Sequence, residues 1–152
     1  MGQRTPLTAA LRVGDVMSRE PRTLGRNDRL QAADDLMRTV RCRHLPVLDE
    51  SGRLTGIVSQ RDLFQSALLR ALGYGSRARD QVLSSVVVKE VMTEPVITTT
   101  PDTTLAGAAR IMSDRQIGCL PVVEQGALVG ILTEGDFVRI AAGIQDGTTA
   151  ST

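Results

Sequence analysis

Aromatic side chains are almost missing from this chain: Phe64, Phe137 and Tyr74 are the whole set, and there is no tryptophan. Proteins that hold single-stranded nucleic acid stack its bases on aromatic rings, so the scarcity argues against that role. It also leaves the core to Val, Ile, Leu, Ala and Met. The formal net charge is only +1, from 18 basic and 17 acidic side chains of both signs scattered along the chain, which marks out no broad basic face for duplex DNA. No apolar run approaches the roughly 20 residues of a membrane-spanning helix, and the N-terminus lacks an apolar signal core. The expectation is a soluble cytoplasmic protein with neither a nucleic-acid nor a membrane partner. His44 is the only histidine, and Cys42 and Cys119 form no CxxC pair. That set cannot assemble a familiar zinc site, and two reduced thiols acting as small hydrophobes are expected. With no nucleophile marked for His44 to activate, no Walker-type loop and no paired carboxylates, the chain is not expected to be an enzyme or to require a cofactor.

What is present is a duplication. Shifted by 75 residues, Val13-Gly14-Asp15-Val16-Met17 falls on Val88-Lys89-Glu90-Val91-Met92, and the match runs on to Leu45-Pro46-Val47 over Leu120-Pro121-Val122. One residue is then lost near Ser51, and at an offset of 74 Gly52-x-Leu54-x-Gly56-Ile57-Val58-Ser59-x-x-Asp62 falls on Gly126-x-Leu128-x-Gly130-Ile131-Leu132-Thr133-x-x-Asp136. Units this small rarely bury enough surface alone, so each is expected to complete the core of the other, with the functional surface between them.

Each copy reads as an extended segment, a helix, a strand, a turn, a strand and a second helix. Leu30, Ala33, Leu36, Met37 and Val40 recur at helical spacing, as do Leu105, Ala108, Ala109 and Met112, with Asp28 and Thr103 expected as N-caps. Leu45–Leu48 and Leu54–Val58 read as strands around a turn at Asp49-Glu50-Ser51-Gly52. Helical pattern follows through Leu72, a Gly73-Tyr74-Gly75-Ser76 break separates the copies, and residues 77 to 87 add a helical turn. The boundaries expected are 13–66 for the first repeat, 67–87 for a helical extension and linker, and 88–142 for the second repeat, with residues 1–12 and 143–152 as flexible tails.

The sharpest local feature is Ser/Thr-x-x-Asp where a strand turns into a helix: Ser59 to Asp62 and Thr133 to Asp136. A hydroxyl beside free backbone N–H groups suits a phosphate, and a carboxylate one turn along can accept both protons of a ribose diol. The same spacing is a capping box that needs no ligand, and spacing alone leaves the two open. Pro46 and Pro121 suit strand entrances, and the methionines suit core filling.

The ordered set, occurring twice, resembles the CBS domain (cystathionine β-synthase domain) in tandem, a Bateman module. It comprises Val-Met-(Ser/Thr), a Thr-rich extended segment, an amphipathic helix, (His/Cys)-Leu-Pro-Val, and Gly-x-Ile-x-(Ser/Thr)-x-x-Asp. The resemblance implies an α/β (α+β) fold of two β-α-β-β-α repeats packed with pseudo-two-fold symmetry. It also implies two clefts for adenosine-containing ligands such as AMP, ADP, ATP or S-adenosylmethionine, and a regulatory rather than catalytic role. Carried over by position, the main cleft would comprise Val96, Ile97, Thr98, Thr99, Ile131, Thr133 and Asp136, with Arg43 and His44 as potential phosphate cations. The second would comprise Arg22, Thr23, Leu24, Ser59, Arg61, Asp62 and Cys119, and would be weaker, empty or filled by a less charged adenosyl ligand. Relatives of this kind form disc-like homodimers, which here would use Leu63, Phe64, Ala67, Leu68, Phe137, Ile140 and Ala141, and pass their signal to a regulated protein that the sequence does not identify. The competing expectation is a ligand-free interaction and dimerisation scaffold.

Overall fold

The computed structural model describes residues 10–71 and 78–143, and the side chains of 66–71 and 78–79 lie outside the description, as does the Gly73–Ser76 break. The apolar pattern resolves into six described strands in two small sheets. One holds β2 (Leu24–Gly25), β3 (His44–Leu48) and β4 (Leu54–Ser59), in that order. The other holds β1 (Ser18–Arg19), β6 (Ala127–Thr133) and β5 (Cys119–Glu124), in the order β1-β6-β5. The one-turn helix α1 (Val13–Val16) precedes β1. Helices α2 (Leu30–Val40) and α3 (Gln60–Ala71) belong to the first repeat, and α4 (Ala78–Ser85) follows it. A 3-10 turn at Val88–Glu90 then opens the second repeat, which carries α5 (Leu105–Arg115) and α6 (Glu134–Ala141). None of the described helices is long and apolar enough to cross a membrane.

The helical stripes are buried as their periodicity predicts. Leu30, Ala33 and Met37 on α2 and Leu105, Ala108 and Met112 on α5 face the sheets, each at most 6% exposed. The caps are each displaced by one residue. Arg29 and Thr104 hold the N-cap positions, and Thr104 Oγ1 accepts from Gly107 N–H at 3.0 Å. Asp28 instead closes the preceding turn by accepting from Gly25 N–H at 2.7 Å, and the Thr103 hydroxyl meets that of Thr100. The lost residue has a concrete cause: Asp49 ties down the longer first hairpin turn by accepting from Ser51 and Arg53, whereas Gln125 (φ 51°) and Gly126 (φ 80°) make a two-residue primed turn.

The copies complete each other by exchanging their first strands. Ser18 and Arg19 of the first repeat pair with Ile131 and Gly130 of the second sheet, while Thr93 of the second repeat pairs with Ile57 of the first. Side chains follow. Val13 and Met17 pack with Leu105, Ala108, Leu120, Val122 and Leu132, and Val88 and Met92 pack with Leu30, Leu45, Val47 and Val58. A buried Leu or Val contributes roughly 1.5–3 kcal/mol, so each core depends on apolar surface donated by its twin. Gly56 and Gly130 are where the donated methionines lie. A Cβ on Gly56 would land on the Met92 sulfur, and one on Gly130 would stand 2.6 Å from the Met17 sulfur.

The expected dimer stripe is partly spent on the chain's own core. Leu63 is 6% exposed within the first core, and Phe137 and Ile140 pack on the second, because each helix runs directly out of its strand and its apolar positions turn back onto the sheet. Phe64 and Val138, each 67% exposed, are the large hydrophobics left facing outward on these helices, while the side chains of Ala67 and Leu68 fall outside the description.

Candidate functional site

The exchanged strands leave the sheet edges and cross between the repeats, and the crossings wall a groove of about 1590 Å3. Residues 18–22 cross from the second sheet to the first, where Leu24 pairs with Val47; residues 93–97 cross the other way, and Thr99 then pairs with Val122. Arg22, Arg43, His44, Ser59, Arg61, Asp62, Val96, Ile97, Cys119, Ile131 and Thr133 all line this groove. Thr23, Leu24, Thr98, Thr99 and Asp136 do not. Leu24 and Thr99 sit at 4% and 5% exposure because each has already joined a sheet and alternation turns it inward. Thr98 faces a separate cavity of about 920 Å3 beside Arg53, Glu94 and Gln125.

Thr93 exchanges both backbone hydrogen bonds with Ile57 in an antiparallel bridge, and the chain then runs to the second sheet, where Ile97 packs on the second core and Thr99 lies parallel to Val122. Arg22 lies between the antiparallel β1 pairing with Ile131 and Gly130 and the parallel pairing of Leu24 with Val47, two residues before the chain joins the first sheet. A two-residue strand on the wrong repeat is a long-range event that local spacing does not reveal.

The two acids differ. Asp62 accepts from Ser59 N–H at 2.8 Å through Oδ2, and Ser59 Oγ accepts from Asp62 N–H at 3.1 Å, a complete capping box. Its second oxygen, Oδ1, receives no hydrogen bond from the described residues, and the side chain is half-buried on the groove wall. Asp136 is 3% exposed. Its Oδ2 accepts from Thr133 N–H at 2.8 Å and its Oδ1 accepts from Arg139 at 2.6 Å. Cap and cation thus occupy both of its oxygens. The Asp136–Arg139 spacing of three along a helix was a readable signal for this pair.

His44 lies at the seam between the repeats. Its ring packs against Gly118, the position equivalent to Arg43, so closely that a Cβ there would stand 3.3 Å from both Cε1 and Nε2. Burial lowers the His44 pKa, the Arg43 cation lowers it further, and Glu134 and Asp62 oppose the shift. Cys119, its counterpart, is buried beside Glu134, and its thiol pKa is pushed up to about 12. It remains a protonated, unreactive thiol at neutral pH. Among the described residues no His, Cys, Asp and Glu cluster is arranged to hold a metal ion. Neighbours that sequence reasoning missed are Ser18, Pro21, Thr93 and Pro95 from the crossings and Glu134 and Arg139 from α6.

Duplicated sheets that trade their first strands around a shared groove define a paired-repeat binding fold. The chain belongs to the CBS domain family, whose model matches residues 13–68 and 88–143. Among solved structures it is similar to the CBS domain pair of protein MJ0100 in complex with 5′-methylthioadenosine and S-adenosyl-L-methionine. That pair is 30% identical, with a TM-score of 0.71, over 88% of this chain and 98% of the other. CBSX2 in complex with AMP is also 30% identical, with a TM-score of 0.72, over 89% of this chain and 98% of that one. Among curated proteins, a homoserine O-acetyltransferase of Methanohalophilus mahii is 37% identical over 139 residues, 91% of this chain, and the match spans only 25% of that protein's length.

Proposed function

We propose that this chain is a regulatory module that binds an adenosine-containing ligand in the groove between its repeats. The observation that carries the reading is the free Asp62 Oδ1, half-buried beside Ser59 on the wall of the groove that the residue 93–97 crossing also lines. A carboxylate oxygen so placed accepts ribose hydroxyls, and Pro95, Val96 and Ile97 offer an apolar wall for a purine. Two relatives at 30% identity, solved with AMP and with 5′-methylthioadenosine and S-adenosyl-L-methionine, support the ligand class. Asp62 is the readier of the two acids; ribose capture at Asp136 requires Arg139 to give up its contact first. Ligand that touches Asp62 and the crossing segment contacts both repeats at once, so it favours one relative arrangement and couples binding to shape. The module acts as a soluble cytoplasmic homodimer in this reading, with Phe64 and Val138 outermost on the paired helices.

A second reading also has an observation in its favour: Ser59 and Asp62 already satisfy each other as a helix cap, which a ligand-free scaffold would need and nothing more. Thermal denaturation with AMP, 5′-methylthioadenosine and S-adenosyl-L-methionine separates the two, since ligand at 100 times its dissociation constant stabilises by about 2.7 kcal/mol. Asp62→Asn keeps an oxygen for the cap and loses the charge toward ribose. The sensor reading expects that variant to remain folded and lose the ligand-induced shift. No shift with any compound in the wild type leaves the scaffold.

A further inference from the structure

The equivalent acids of the two repeats are followed, one helical turn on, by different residues: Gln65 after Asp62 on α3, and Arg139 after Asp136 on α6. Residues three apart on a helix share a face, so this side chain lies within reach of the carboxylate in both repeats. The outcomes differ. Arg139 Nη2 donates to Asp136 Oδ1 at 2.6 Å, with 44% of the arginine side chain exposed and 3% of the aspartate's. The other oxygen, Oδ2, accepts from Thr133 N–H at 2.8 Å and from the Thr133 hydroxyl at 3.4 Å. Both oxygens of Asp136 are therefore engaged by its own cap and helix. Gln65 is exposed and makes no hydrogen bond to Asp62, whose Oδ1 receives none from the described residues. The groove wall carries the same difference. Asp62 lines it directly, whereas in the second repeat Thr133, Gly135 and Arg139 line it and Asp136 does not.

Resting on the adenosine reading above, we infer that Arg139 is a positioning residue that withholds Asp136 from ligand, so that the chain takes one adenosyl ligand, at Asp62, and the side chain three places beyond each acid decides whether its half-site is open. A ribose hydroxyl donates to a carboxylate as a guanidinium does, so the two compete for the same oxygen. The guanidinium has the advantage of its charge and of a tether one turn long, which holds it at high effective concentration. Its partial exposure screens the contact, which places the loss of ribose affinity at Asp136 at the low end for a charge-assisted hydrogen bond, about tenfold. The Thr133–Asp136 cap that mirrors Ser59–Asp62 is intact beneath it, so the exchange of one side chain is enough to open the half-site.

Isothermal titration of the whole chain with 5′-methylthioadenosine, repeated with AMP, tests this; the first compound keeps the ribose diol and carries no phosphate to attract Arg139. The wild type should bind one equivalent, with any second at least about tenfold weaker. Arg139→Gln, which installs the first repeat's residue, should give two sites of comparable affinity, while Arg139→Lys, which keeps the charge, should stay at one. Arg139→Gln in an Asp62→Asn background should leave a single site, now at Asp136. The reverse exchange, Gln65→Arg at an exposed position, should weaken binding at Asp62 about tenfold, and it decides the matter independently if loss of Arg139 unfolds the second repeat. Thermal denaturation identifies the folded variants. Two equivalent sites in the wild type, a single site in folded Arg139→Gln, or unchanged binding in Gln65→Arg overturns the role given to Arg139 and leaves the adenosine reading standing. Failure of the wild type to bind either compound ends the adenosine reading and this inference with it.

Discussion

Adding one methyl group at Gly130 should damage this protein more than adding the same group at the equivalent Gly56, and the geometry says by how much. At Gly56 the new Cβ would meet the Met92 sulfur, its Cγ at 2.9 Å and its Cβ at 3.2 Å, all atoms of one flexible, partly buried side chain. Methionine can rotate aside at the cost of its own packing, so overpacking of about 1–2 kcal/mol is expected for Gly56→Ala. At Gly130 the Met17 sulfur is at 2.6 Å and its Cγ at 3.0 Å, but the Ser18 carbonyl oxygen also stands at 2.9 Å. That oxygen belongs to β1, whose two residues are the first repeat's hold on the second sheet. It cannot retreat without loosening the exchange, so Gly130→Ala should cost about 3 kcal/mol or more. Urea denaturation followed by circular dichroism measures both, with an unchanged slope identifying a pure stability effect. Met92→Ala added to Gly56→Ala should recover most of the methyl's cost relative to Met92→Ala alone. Met17→Ala should rescue Gly130→Ala only in part, because the carbonyl remains. Equal losses at the two glycines, or full rescue at Gly130, would refute the claim that backbone proximity sets the difference.

Two further outcomes follow from other buried groups. Thr99 is 5% exposed and its Oγ1 has no hydrogen-bond partner among the described residues, while the matching position in the first repeat is Leu24; Thr99→Val should therefore raise stability by about 1–2 kcal/mol in the same denaturation assay, and a loss would mean the hydroxyl has a partner. His44 has its pKa lowered from the ordinary 6.5, chiefly by burial, so its folded form binds a proton less readily than the unfolded chain does. Stability from this group is complete above the unfolded value and is lost as pH falls from about 6.5 toward the depressed folded value. His44→Gln should flatten that part of the stability profile, and an unchanged acid slope in the variant would exclude His44 as its source.

The element order, the helical stripes and the repeat itself were legible because each depends on neighbours a few positions away. Leu30, Ala33 and Met37 share a face whatever the rest of the chain does, and Leu105, Ala108 and Met112 repeat the argument. Val-Met and Gly-x-Leu-x-Gly were visible as motifs but not as one contact, since Met17 and Gly130 meet only across the two repeats. The same long-range exchange sets residues 18–22 and 93–97 as crossings between the two sheets, which local spacing does not reveal. Cap positions slipped by one because Asp28 and Thr103 had other bonds to make, which propensity alone does not weigh. Asp136 matched its motif and also holds an arginine one turn away, a partner the motif does not encode.

The traded strands have a bearing on how such a protein could have come into being. A lone ancestral unit would have carried a sheet with a vacant margin and a loose arm with nowhere of its own to lie, and two identical polypeptides would have cured both defects by lending arms to one another. Fusing them in tandem freed each half to diverge, so one could leave its acid bare while the other acquired a basic companion without disturbing the handclasp that keeps both folded.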